Sequence, residues 1–153
     1  MTNALDAAKY LAFAYQNDHG EVITEMKLHK LLYFAQREAL IVGNCPLFPE
    51  VFEGWRFGPV IPSIRYRFAE ICSSTQPYLD EFSESVLDET MRRYGGKDPW
   101  SLSRLSHGEY SWQKSREGIS EFQNSNNEMS IDDIRIDAER VKERREMLSN
   151  IGI

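Results

Sequence analysis

A mainly α fold is what the 153-residue sequence predicts: a compact bundle of about six or seven helices with at most a small β-hairpin near residues 47–60. Three observations carry this expectation. Leu28, Leu31, Leu32, Ala35 and Ala39 recur at the three-and-four spacing that places apolar side chains on one helix face, and similar stripes recur along the chain. Helix caps and stops punctuate those stripes at short intervals. Only Val51 to Phe57 joins loose alternation to residues that favour strands.

Taken in order, the first helix is expected from about Ala4 to Gln16, capped by Thr2 or Asn3, with Leu5, Ala8, Leu11, Ala12 and Tyr15 facing inward. Val22 and Ile23 then serve as a staple for a second helix that begins at Glu25 with Thr24 as cap. Gly43 ends that helix, because glycine enters the left-handed region without steric cost. The prolines of Pro46-Leu47-Phe48-Pro49 prevent further helix. Val51 to Phe57 reads as a strand or one arm of a hairpin, and Gly58-Pro59 as a turn. Val60 to Ile71 reads as a helix opening near Pro62, with Ile64, Phe68 and Ile71 on one face. A fourth helix fits Glu84 to Tyr94, capped by Ser83 or Ser85, and Asp98-Pro99 opens a short one through Leu105. Tyr110 to Ile119 carries a further turn or two. Gln123 to Glu128 is the most polar stretch and the one expected to be most mobile. The last helix runs from Ser130 to about Asn150, with Ser130 and Asp133 resembling a capping box.

Size and composition limit the function. A chain of this length can bury roughly 70% of its unfolded surface, so residues 1–153 read as one domain that folds without metal or disulfide. The formal charge of −6 argues against broad attraction to nucleic acid. Cys45 and Cys72 read as reduced thiols, and no leader or membrane-length apolar run is visible, so a cytoplasmic protein without membrane contact is expected.

Catalytic material is sparse. His19, His29 and His107 lie apart, with no zinc-site spacing, and they read as side chains of a turn, a helix flank and a backbone hydrogen bond. Gly95-Gly96-Lys97 lacks the frame of a phosphate loop, and the paired carboxylates sit on surfaces or first turns. No enzyme, cofactor or metal is expected. Lys27, Lys30, Arg37, Arg56, Arg65 and Arg67 gather positive charge in the central third, which keeps DNA binding as an alternative, although the spacer between the first two helices is too long for a helix-turn-helix. Trp55 reads as core. Phe48 and Arg56 are balanced between core and a partner face, and Phe57, Arg65 and Arg67 extend that candidate face.

The run Lys27 to Gln36, KLHKLLYFAQ, followed by Pro46-Leu47-Phe48 and then Trp55-Arg56-Phe57-Gly58-Pro59-Val60, resembles the Panacea domain, the SocA-like or phage-associated GepA-like family. A second block, Tyr94-Gly95, Leu105-Ser106-His107, Trp112 and Arg116, is similar to the family's later motif. Ser106 stands there where threonine is usual, Ser111 where proline is usual, and Gly54 precedes Trp55 where alanine is common. The motif positions matched are Lys30, Leu31, Leu32, Tyr33, Gln36, Trp55, Gly58, Pro59, His107 and Trp112. The resemblance implies an antitoxin-type module that binds and neutralises a toxin encoded by a neighbouring gene, with delivery to a cytoplasmic AAA+ protease as a variant of that role. A phage-associated regulator without a toxin partner is the alternative. Homo-oligomerisation is left open.

Overall fold

The computed structural model describes residues 1–152, and its centre is one helix. That helix, α2 (Glu25–Gly43), follows α1 (Ala4–His19) and is buried at every position from Lys27 to Leu40. Around it pack α1, the second strand of a small hairpin, and the helices α5 (Glu81–Tyr94), α6 (Pro99–His107) and α8 (Ile131–Asn150). The apolar stripe accounts for one face of α2. The remaining circumference is polar and equally buried: Lys27, His29, Lys30, Gln36, Arg37 and Glu38 are each at most 5% exposed.

Local chemistry sets the helix ends. The Asn3 side chain accepts from Asp6 N and caps α1, which runs past Gln16 to a left-handed Gly20. Thr24 caps α2 by accepting from Lys27 N. The stop is Asn44, at φ 52°, whose N–H returns to Leu40 O; Gly43 stays helical. A β-carbon on Gly43 would stand 2.8 Å from the Phe82 ring, so its glycine serves packing and the left-handed residue is the next one. Asp80 caps α5, starting it earlier than Ser83, and Asp98 caps α6 ahead of Pro99. Ser130 caps α8 through Asp132 N.

The helix expected over Val60 to Ile71 is two, α3 (Pro62–Tyr66) and α4 (Phe68–Cys72), interrupted at Arg67, where ψ is 15°. With α7 (Tyr110–Ser115) there are eight helices among the described residues. The strands β1 (Glu53–Trp55) and β2 (Gly58–Val60) pair antiparallel, Glu53 opposite Val60 and Trp55 opposite Gly58. The turn is therefore Arg56-Phe57. Gly58-Pro59, expected to turn the chain, instead begins β2, and the glycine is required there because φ is +126°.

Gln123 to Glu128 is a loop, yet it lies along β1. Gly54 N donates to Asn127 O at 2.8 Å, Met129 N to Phe52 O at 2.8 Å and Arg56 N to Asn124 Oδ1 at 2.9 Å. Buried Arg116 ties the same loop down, donating to Gly54 O, Ser120 O and Gln123 O.

Candidate functional site

Five buried side chains of α2, Lys30, Tyr33, Gln36, Arg37 and Glu38, reach later segments of the chain. Lys30 Nζ donates to the Phe57 carbonyl in the hairpin turn. One turn on, the Tyr33 hydroxyl meets Glu109 at 3.0 Å, Ser111 at 3.1 Å and Asp137 at 3.1 Å, joining α7 to α8. Asp137 also accepts from the N–H groups of Tyr110 and Ser111, capping α7 from another helix. Gln36 donates to Phe48 O at 2.9 Å and accepts from Leu47 N at 2.7 Å and from Phe48 N, as a strand neighbour would. Arg37 pairs with Glu109 at 2.7 Å, and Glu38 receives Arg145 of α8. Three- and four-residue spacing thus delivers clamps as well as core.

The hairpin turn is held from its other side too. Ser103 Oγ donates to the Phe57 carbonyl at 3.0 Å, and Trp112 Nε1 donates to Trp55 O at 2.8 Å. His107 stacks on Trp112 with ring centroids 4.1 Å apart, and its Nε2 lies 3.4 Å from Ser103 Oγ. Burial, reinforced by the nearby Lys30 charge, lowers its pKa. These groups brace the turn.

Above that brace is a cleft of about 510 Å³ between the first turns of α2, the hairpin tip and the 122–124 loop. Trp55, Phe57 and Phe122 supply its aromatic walls, and Arg56 and Arg65 its rim. Arg56 lies 4.8 Å from the Phe57 ring centroid and 5.9 Å from that of Phe122, while Arg65 lies over Trp55 at 5.4 Å. Trp100 extends the surface, edge-on to Phe57 at 6.2 Å. At the floor, desolvation lowers the Lys30 pKa to about 8 and that of His29 to about 4, with the Lys30 charge adding to the latter.

A protein-family comparison matches residues 28–113 to the family described as "Antitoxin SocA-like, Panacea domain". The chain belongs to that family. No curated protein and no solved structure matches it. The Panacea match runs from Leu28 in α2 through the hairpin to Gln113 in α7, so it contains the α2 side of the clamps and most of the cleft, while Glu25, Met26, Phe122, Asn124 and α8, with Asp137 and Arg145, lie beyond it. Membership supports an antitoxin-type role and, in general terms, a toxin partner.

Of the candidate partner residues, Arg56, Phe57 and Arg65 line the cleft together. Phe48 does not join them: it is fully buried against Phe52, with its backbone bound on both sides by Gln36, and cannot meet a partner. Arg67 points elsewhere, paired with Glu70 at 2.8 Å. Trp55, expected in the core, is half-buried on the cleft wall. The six-residue basic cluster is divided, because Lys27, Lys30 and Arg37 are buried, and the surface it was to offer DNA is reduced accordingly. Among the motif residues, Lys30, Tyr33, Gln36, Trp112 and His107 brace loops, Leu31 and Leu32 are core, and Gly58 and Pro59 form the buried strand. Phe122, on the cleft wall, and Trp100, beside Phe57, stand near these residues without having been among the candidate partner residues. Phe122, a lone aromatic in a polar stretch, carried a readable signal. No helix among the described residues is long and apolar enough to cross a membrane.

Proposed function

We propose that this Panacea-domain protein is an antitoxin that binds its toxin directly, through the hairpin tip and the cleft beneath it. One observation carries the reading: Phe57 and Phe122, 45% and 70% exposed, line a single cleft with Arg56 and Arg65, and Trp100, 57% exposed, stands edge-on to Phe57 beside it. Large exposed aromatics gathered with arginines are the composition of interface hot spots, and keeping them in water is otherwise costly. Nothing in this reading requires catalysis. The protein acts as one domain in the cytoplasm, and its partner is encoded by a neighbouring gene.

Co-expression with the product of the adjacent open reading frame tests this. Growth arrest by the neighbour alone, relieved by the wild-type chain but not by an Arg56→Glu/Phe57→Ala variant of unchanged melting temperature, is the expected result. A harmless neighbour, or a variant that still binds and rescues, overturns it. Delivery to a AAA+ protease is the finer version: the toxin's half-life then shortens when the antitoxin is present, and an unchanged half-life leaves sequestration.

A further inference from the structure

Lys30 is a buried cation that lacks a counter-charge. It is 2% exposed, its ammonium donates to the Phe57 carbonyl, and no carboxylate among the described residues forms an ion pair with it. Buried charges are ordinarily paired, because desolvation is otherwise uncompensated. Its neighbour His29 is 3% exposed, and neither ring nitrogen has a hydrogen-bond partner, although Nε2 lies 3.5 Å from a Glu25 carboxylate oxygen. Orphaned buried polar atoms of this kind are rare in folded proteins. Both side chains line the same cleft, whose volume falls in the range of about 300–1,000 Å³ typical of ligand sites.

We propose that the floor of this cleft is a carboxylate site, and that its occupant is an acidic group of the docking partner, carried beside an aromatic or apolar side chain. Lys30 and the N–H of neutral His29 offer two donors to the two carboxylate oxygens. Arg56 and Arg65 add positive charge at the rim against the single carboxylate of Glu25. Trp55, Phe57 and Phe122 cover the apolar part of the ligand. Glu25 and these apolar walls select a monoanion over a phosphate dianion, which requires more donors than the floor supplies. The origin of the carboxylate rests on the docking reading above; the chemistry of the floor does not.

The test uses the whole chain and three small probes, phenylacetate, phenylacetamide and inorganic phosphate, followed by NMR at the His29 ring and the Lys30 side chain. Phenylacetate is expected to shift both residues saturably and to raise the Lys30 titration midpoint, while the amide leaves them unmoved. Arg56→Gln, whose guanidinium is held only against the Phe57 and Phe122 rings, is expected to weaken this response roughly two- to fivefold. An equal response to acid and amide reduces the site to an apolar groove and overturns the proposal. So does a phosphate response at lower concentration, or none to phenylacetate. These readouts involve no toxin: a carboxylate site with a partner indifferent to Arg56→Glu/Phe57→Ala removes the docking surface alone, and the converse pattern removes the carboxylate site alone.

Discussion

Gly58 and Lys30 claim the same space: a β-carbon on Gly58 would overlap the Lys30 ammonium and stand 2.9 Å from Ser106 Oγ. Only a glycine lets the ammonium pass under the strand to the Phe57 carbonyl. Gly58→Ala is therefore expected to cost about 2–4 kcal/mol, combining the strain at φ +126° with the overlap. In a Lys30→Ala background the same change should cost less but not nothing, since the overlap is relieved while the backbone strain remains. Chemical denaturation of the three variants checks this.

Gly54 is a glycine for a different reason. Its φ is ordinary, but a β-carbon there would overlap Ser115 Oγ, which donates to Trp112 O at 2.7 Å. Gly54→Ala should cost about 1–3 kcal/mol, and Gly54→Ala/Ser115→Ala should recover most of it. A double-mutant cycle gives the coupling, and an additive result would show that the two sites do not compete.

Gln36→Leu keeps the size of the side chain and removes every partner of Leu47 N, Phe48 N and Phe48 O that the glutamine supplied. Unsatisfied buried groups cost about 1–3 kcal/mol each before relaxation, so a loss of roughly 2–4 kcal/mol is expected. Hydrogen exchange should localise the loosening to the Leu47 and Phe48 amides.

Stability should depend on pH through the cleft floor. His29 falls from an ordinary 6.5 to about 4 when folded, so the unfolded chain takes up its proton first. That contribution is complete above pH 6.5 and is lost as pH drops through 4; it amounts to on the order of 3 kcal/mol. His29→Gln should flatten this limb. Lys30, lowered from 10.5 to about 8, acts with the same sign: its contribution is complete above pH 10.5 and declines as pH falls through 8. Lys30→Met should abolish that slope. Urea midpoints across the pH range measure both.

Local signals made the helices legible. Asn3, Thr24 and Asp98 cap through contacts within three residues, and the stripe of α2 is written in its own sequence. The hairpin turn was misplaced because Gly-Pro is an ordinary turn signal, whereas Gly58 answers to Lys30, 28 positions away. Burial of the polar side of α2 was equally hidden, since it depends on Glu109, Asp137 and Arg145 arriving from far along the chain. Arg56 and Phe57 could be singled out because packing did not account for them. Phe48 could not be separated from them by composition, since its burial follows from Gln36.

The clamps of α2 also bear on the order in which structure can be acquired during synthesis. Glu38 finds Arg145, and Tyr33 finds Asp137, only once α8 has been made. Until then the central helix carries polar groups that cannot be enclosed without partners, so a nascent chain lacking α8 should remain open and protease-sensitive. Assembly of the native core would then begin late and close in one cooperative step, with the final helix acting as the trigger.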